Sequence, residues 1–301
     1  AEISALSVND NCVDFIINPG TNSTPASVLT NPVSDYFQIK NTSLTVNDTS
    51  GFQKFKIDRD WRNQTNQFSI IGNIMDTTST DTIYRNIHNP SYFVGTLFKE
   101  ALQRNGMAIN QITREKRPSN AKLIARHESK SIIHSLQNLM VESDNLTAEL
   151  IVKTIGFEST KTQGNWDNGL LAIKTFLNDE VGIDTTQLAL KDGSGVSRYN
   201  YSSANHFIQL LSWAYQSPSV RGKFINTLPI GGLNGTITDR ALPSSVRAKT
   251  GSLSGVSALS GYVFTQSGES IAFSILMNGF TGSTKPFRQL QDQIVQYLER
   301  L

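Results

Sequence analysis

A single cysteine, Cys12, is the only thiol in these 301 residues, which excludes an internal disulfide and any multi-cysteine zinc or iron–sulfur site. Long hydrophobic runs are missing as well. No apolar stretch approaches the roughly 20 residues of a spanning helix, and the chain opens at Ala1 without a charged or apolar leader, so it reads as soluble and already mature, or truncated. Charge is scarce: Asp, Glu, Lys and Arg make up 17%, against an average of about 25%, and the polar share comes mostly from Ser, Thr, Asn and Gln. Charge-driven disorder is thereby excluded. Neither sign dominates, with 27 basic against 25 acidic residues, a net charge of +2 and no basic run, so a nucleic-acid footprint is not expected. The stretch His127-Glu128-Ser129-Lys130-Ser131 fails the HExxH zinc pattern at its last position, and no metal or cofactor is expected. Asn-x-Ser/Thr triplets, such as those at Asn22 and Asn145, are what an Asn- and Thr-rich chain produces by chance.

What is present falls into two parts. Up to about Pro90, short alternating runs such as Cys12-Val13-Asp14-Phe15-Ile16-Ile17 and Phe68-Ser69-Ile70-Ile71 are separated by turn-forming clusters, the mark of a β-rich segment. A helix follows over Tyr92–Arg104 and stops at Asn105-Gly106. Composition turns polar around Lys116-Arg117-Pro118-Ser119-Asn120, which divides the chain into domains 1–122 and 123–301. Beyond it, Ser131–Met140 carries Ile132, Ile133, Leu136, Leu139 and Met140 on one helical face, and another helix starts at Asp144 or Asn145. Helices are expected at about 166–178 and 203–216. Ser245–Thr250, Ser257–Phe264 and Ser270–Met277 read as an antiparallel meander. A last helix runs from Pro286, with Phe287, Leu290, Ile294, Tyr297, Leu298 and Leu301 as its apolar stripe.

Two short motifs carry chemistry: Ser143-Asp144-Asn145 at a helix–helix junction, and Lys249-Thr250-Gly251 on the first strand of the meander. Alone, the first reads as a helix cap and the second as an ordinary strand tripeptide. Together, in the order helix then sheet edge, they match the pair described for serine enzymes acting on β-lactams and D-alanyl peptides. With Asp192-Gly193-Ser194-Gly195-Val196-Ser197-Arg198, Leu228-Pro229-Ile230-Gly231-Gly232-Leu233-Asn234-Gly235-Thr236 and Lys249 to Val256, residues 123–301 resemble the D-Ala-D-Ala carboxypeptidases of the penicillin-binding protein 4 type.

That resemblance implies an α/β (α+β) penicillin-binding/β-lactamase-like domain, an antiparallel sheet with helices on both faces, preceded by part of a β-rich accessory domain. It implies a periplasmic location, peptidoglycan D-Ala-D-Ala peptides as substrates and β-lactam antibiotics as acylating ligands. Lys249 and Thr250 would meet the substrate carboxylate, with Ser143 and Lys249 converging on one cleft. Gly251 would let the substrate lie along the strand, and the Ser252 amide would be an oxyanion donor. Asn145 would hold a substrate carbonyl, Ser143 would pass a proton to the departing amine, and Ser194 and Arg198 would border the cleft. Asp144 would point inward and fix the turn.

The family's Ser-x-x-Lys nucleophile motif has one match, Ser119-Asn120-Ala121-Lys122, which follows a proline in a polar linker and comes after the accessory segment, so it is taken as chance. The chain is therefore expected to lack the nucleophile and its lysine, and to be inactive by itself. Two other readings stand beside this one. A class A β-lactamase needs a deacylating glutamate, and neither Glu158 nor Glu180 sits in a Glu-x-x-Leu-Asn context. A non-catalytic peptidoglycan-binding module would keep the groove alone.

Overall fold

In β1 (Cys12–Asn18) every second side chain is buried, with Val13, Phe15 and Ile17 turned inward, so the alternation in sequence becomes one face of a sheet. The computed structural model describes residues 2–301. The chain divides into two compact units, the first ending at Ile124 and the second beginning at Ala125.

The first unit holds β1, β2 (Ser27–Asn31), β3 (Gln38–Asn41), β4 (Leu44–Val46), β5 (Lys56–Arg59), β6 (Gln67–Ile71), β7 (Asn73–Met75), β8 (Asp81–Asn86) and α1 (Pro90–Arg104). They form sheets in the orders β2-β1-β8, β3-β6-β5 and β4-β7. Phe15, Ile57, Phe68, Ile70, Ile87 and Phe93 of α1 pack into one core. Each such side chain contributes about 1.5–3 kcal/mol by leaving water. Asn89 caps α1 by accepting from the Tyr92 amide.

The second unit contains α2 (Ile132–Asn138), a π turn (Leu139–Ser143), α3 (Asn145–Thr160), α4 (Trp166–Asp179), α5 (Ala204–Gln216), α6 (Pro218–Thr227), β9 (Val246–Leu253), β10 (Val256–Phe264), β11 (Ser270–Asn278) and α7 (Lys285–Glu299). The sheet order is β11-β10-β9, antiparallel throughout. Alternation along it feeds two cores. Val246, Ala248, Leu259, Val263 and Phe273 meet Val295 of α7 on one face, while Tyr262 packs with Leu211 of α5 and Phe224 of α6 on the other. Helices thus cover both faces. No helix among the described residues is long and apolar enough to cross a membrane.

The structure departs from the sequence reading at several elements. β9 continues beyond Thr250 to Leu253, because Ser254 and Gly255, the latter at φ 74°, make a tight hairpin turn into β10. The α6 segment, unassigned from the sequence, starts at a proline and is interrupted by Gly222, which hides its helical pattern. In α2, Ile132 is 63% exposed rather than packed. α7 is rotated from its expected stripe: Leu290, Ile294, Tyr297 and Leu301 are exposed, and Gln291, Asp292 and Val295 are buried. That inner face tolerates polar groups because each is matched. Asp292 pairs with Arg240 at 2.7 Å, and Gln291 donates to the Ser257 carbonyl at 3.1 Å.

Candidate active site

The regular helical bonding of α2 stops at Asn138 and widens into the π turn, where the sequence reading carries the helix straight to Met140. Such turns recur at functional sites. It ends on Ser143, held left-handed at φ 59°, an uncommon state for a residue with a Cβ. Asp144 then caps α3, accepting from the Leu146 amide at 2.9 Å and the Thr147 amide at 3.3 Å, and also from the Thr147 hydroxyl. Asp144 is thus spent on the turn. Asn145 opens α3 beside it, exposed, and among the described residues its side-chain amide has no hydrogen-bond partner.

The left-handed conformation makes Ser143 a source of strain. Ser143→Gly should be more stable than Ser143→Ala by about 1 kcal/mol, because both lose the hydroxyl and only glycine relieves the backbone. Urea unfolding of the two variants measures the difference, and equal midpoints would contradict it.

Opposite this junction lies β9. The Ala248 N–H donates to the Pro229 carbonyl and the Gly231 N–H donates to the Val246 carbonyl, both at 3.1 Å, so these groups face away from β10 and are covered by the 229–231 segment. Register with β10 is unbroken from Val246 to Leu253. Alternation therefore turns the backbone of Thr250 and Ser252 to that same edge. No strand among the described residues pairs with the edge there. The Ser252 amide consequently meets no strand at this edge, and the Thr250 carbonyl accepts from Lys249 Nζ rather than from a strand, so the edge is left for an added peptide.

Side chains alternate as well. Lys249 projects to the face opposite Val246 and Ala248, and its Nζ donates to Ser143 Oγ at 2.6 Å and to the Thr250 carbonyl at 3.0 Å. Burial pushes the Lys249 ammonium below the ordinary lysine value. On the other face the Thr250 and Thr236 hydroxyls lie 2.7 Å apart, and Arg288 of α7 donates to Ser252 Oγ at 3.2 Å. Ser143, Asp144, Asn145, Ser194, Thr236, Lys249, Thr250, Gly251, Ser252 and Arg288 all line one cavity of about 610 Å³.

Ser194 reaches this cavity, but its hydroxyl donates to Glu149 Oε1 at 2.5 Å, so it anchors the loop. Arg198 does not line the cavity; its guanidinium donates to the Ser254 carbonyl at 2.8 Å and ties the loop to the β9–β10 turn. Sequence alone assigns no role to Glu149 or Arg288, and Thr236 enters only as the last residue of a motif. Glu149 is 7% exposed and accepts also from the Trp166 indole at 2.7 Å and from the Gly193 and Ser194 amides, each at 3.0 Å. Burial raises its pKa, and the bonds from Ser194, Trp166 and the Gly193 amide outweigh that and hold it below the usual carboxylate value. Its sequence signal was an acid on an inward helical face, next to Val152. Gly193 lets the loop cross α3 closely, since a Cβ there would stand 2.7 Å from the Ala148 carbonyl oxygen.

A D-alanyl-D-alanine carboxypeptidase of Actinomadura sp. (strain R39) is 34% identical over 301 residues, covering 94% of this chain and 55% of that protein. The D-alanyl-D-alanine carboxypeptidase DacB of Haemophilus influenzae is 28% identical over 222 residues, covering 71% of this chain and 46% of its own length. The chain thus spans about half the length of these curated relatives. The crystal structure of penicillin binding protein 4 (dacB) from Haemophilus influenzae, complexed with a β-lactam, superposes with a TM-score of 0.81 at 22% identity, covering 99% of this chain and 71% of that one, which establishes the shared fold. The model of the D-Ala-D-Ala carboxypeptidase 3 (S13) family matches residues 1–301, and the chain belongs to that family.

Proposed function

We propose that these residues form the recognition and proton-delivery half of a serine-type D-alanyl-D-alanine carboxypeptidase that also acts as an endopeptidase on peptidoglycan stem peptides. It works in the periplasm of a bacterial cell envelope, through an acyl-enzyme that β-lactams also form. The observation that carries this reading is the 2.6 Å contact between Lys249 Nζ and Ser143 Oγ, facing the open edge of β9 in one cavity.

The chemistry follows from that arrangement. A substrate lying along β9 brings its scissile carbonyl oxygen to the Ser252 amide, a donor whose removal elsewhere costs about 3–4 kcal/mol of barrier. Asn145 holds the preceding amide carbonyl. A nucleophilic serine hydroxyl adds to the carbonyl, its proton passing to its lysine, and the C–N bond then breaks. The departing D-alanine amine takes the Ser143 proton, and the Lys249 ammonium, already donating to Ser143 Oγ, restores it. Water afterwards hydrolyses the ester, one of its protons restoring the serine hydroxyl while the proton taken up by the first lysine returns through Ser143 to Lys249. A β-lactam enters the same way because it too presents a carboxylate beside a reactive amide.

The serine and lysine of that first step lie outside these 301 residues. Ser119 to Lys122 is exposed and non-helical, so Lys122 is not stacked one helical turn from Ser119. Ser143 donates its proton late in the cycle, and Lys249 beside it is the donor that replaces that proton, not a base that would activate Ser143. The class A β-lactamase alternative loses support from Glu149: both its oxygens are taken by donors, which leaves no capacity to activate a water.

Treatment with a fluorescent penicillin followed by mass spectrometry tests the proposal. The 301-residue chain should carry no stoichiometric adduct, whereas the full-length protein should carry one, mapping outside this sequence. An adduct on Ser143, Ser119 or any other residue here would refute the assignment of the nucleophile. A full-length protein that takes up no penicillin and releases no D-alanine would favour the non-catalytic binding module.

A further inference from the structure

The cation that meets the substrate carboxylate has to lie on the correct face of β9, and the two faces are chemically unlike. Val246 and Ala248 enter the core under α7, so Thr250 and Ser252 share that side, and Lys249 is on the opposite one. Lys249 is engaged there by the Ser143 hydroxyl and the Thr250 carbonyl. On the α7 side, the Thr236 and Thr250 hydroxyls are paired at 2.7 Å, and Ser252 Oγ accepts from Arg288 at 3.2 Å. Two arginines line the cavity. Arg240 is already neutralised, by Asp292 at 2.7 Å, and is held further by Gln291 Oε1 at 3.1 Å and by the Arg288 carbonyl at 3.0 Å. Arg288 is different. Among the described residues no carboxylate forms an ion pair with it, and Ser252 is the one side chain it bonds.

We propose that Arg288 is the charged partner of the substrate's terminal carboxylate, with the Thr250, Thr236 and Ser252 hydroxyls completing the pocket. Lys249 is left to the proton-transfer side. The inference rests on the peptidase reading above and refines it, moving the carboxylate's counter-charge from the KTG lysine to a residue of the last helix. A guanidinium suits the task, since its planar fork can hold both carboxylate oxygens while Ser252 keeps it oriented.

The test crosses one change in the protein with one in the ligand. Release of the terminal residue from an N-acylated D-alanyl-D-alanine peptide and from its C-terminal carboxamide is measured with full-length wild type, Arg288→Gln and Arg288→Lys. Arg288→Gln should lower kcat/KM on the free acid roughly tenfold to hundredfold, as loss of a charge-assisted hydrogen bond predicts. On the carboxamide the fall should be several-fold smaller than on the acid, because the amide offers no charge to lose. Arg288→Lys should recover part of the acid activity. An Arg288→Gln enzyme that keeps the wild-type preference for acid over amide overturns the assignment, and so does an equal fall on both substrates, the signature of a structural role. A wild-type enzyme that cleaves neither peptide removes the peptidase reading itself, and the Arg288 role with it.

Discussion

Glu149→Ala should destabilise the second unit by about 3–5 kcal/mol, since each buried donor left without an acceptor costs about 1–3 kcal/mol. Four donors converge on this carboxylate: the Ser194 amide and hydroxyl, the Gly193 amide and the Trp166 indole. Alanine leaves all of them without an acceptor in a site only 7% exposed. At about 2–4 °C per kcal/mol for a unit of this size, the melting temperature should fall on the order of 10 °C. Glu149→Gln is the subtler case. One amide oxygen can serve two donors, but the amide NH2 then confronts the others, so the cost should be about 1–3 kcal/mol.

The pH dependence gives a second check. The folded Glu149 pKa lies below the ordinary value, so its contribution is fully present above the unfolded pKa of about 4.3 and is lost as pH falls through the folded one. The gap in melting temperature between wild type and Glu149→Gln should therefore be constant near pH 7 and shrink in acid. A gap that does not change with pH would show that the carboxylate is not what holds the loop. Because Ser194 and Gly193 line the cavity, the same variant should also raise KM in the full-length protein.

How much of this was legible in the sequence depends on the range of the interaction concerned. Local patterns carried well: the alternation of Val13, Phe15 and Ile17, the Asp144 cap and the β10–β11 hairpin are all settled within a few residues. The meeting of Ser143 with Lys249 spans 106 residues, and only the two motifs taken as a pair pointed to it. Ser194 reaches the cavity and Arg198 does not, and nothing in the loop's own sequence says that the first is claimed by Glu149 and the second by the Ser254 carbonyl. α7 shows the limit most plainly. Its apolar residues form a stripe at helical spacing, yet the helix turns Gln291, Asp292 and Val295 to the sheet, since Arg240 and Ser257 supply partners that hydrophobic periodicity does not register. Arg288 becomes visible as a cavity residue once that rotation is known.

Lys249→Ala in the full-length protein should slow acylation by D-alanyl peptides and by penicillin alike, by several-fold to about a hundredfold, or roughly 1–3 kcal/mol of barrier. Two losses combine. The ammonium donates to Ser143 Oγ and to the Thr250 carbonyl, so its removal frees a strained serine and the strand edge together. It also withdraws the proton source that recharges Ser143. With Arg288 holding the carboxylate on the other face of β9, the loss should appear mainly in kcat. Stability should move in the opposite direction to activity. A lysine whose folded pKa is depressed by burial is penalised in its charged form, so Lys249→Met, which keeps the stem and drops the charge, should be no less stable than wild type near pH 7. For wild type, the unfolded state holds the extra proton between the depressed and ordinary lysine values, so this residue's penalty should lessen as pH rises across that window. Burst acylation rates, peptide kcat and KM, and denaturant midpoints measured on the same two variants decide the matter. Unchanged acylation would remove Lys249 from the reaction, and a loss confined to KM would return it to the carboxylate.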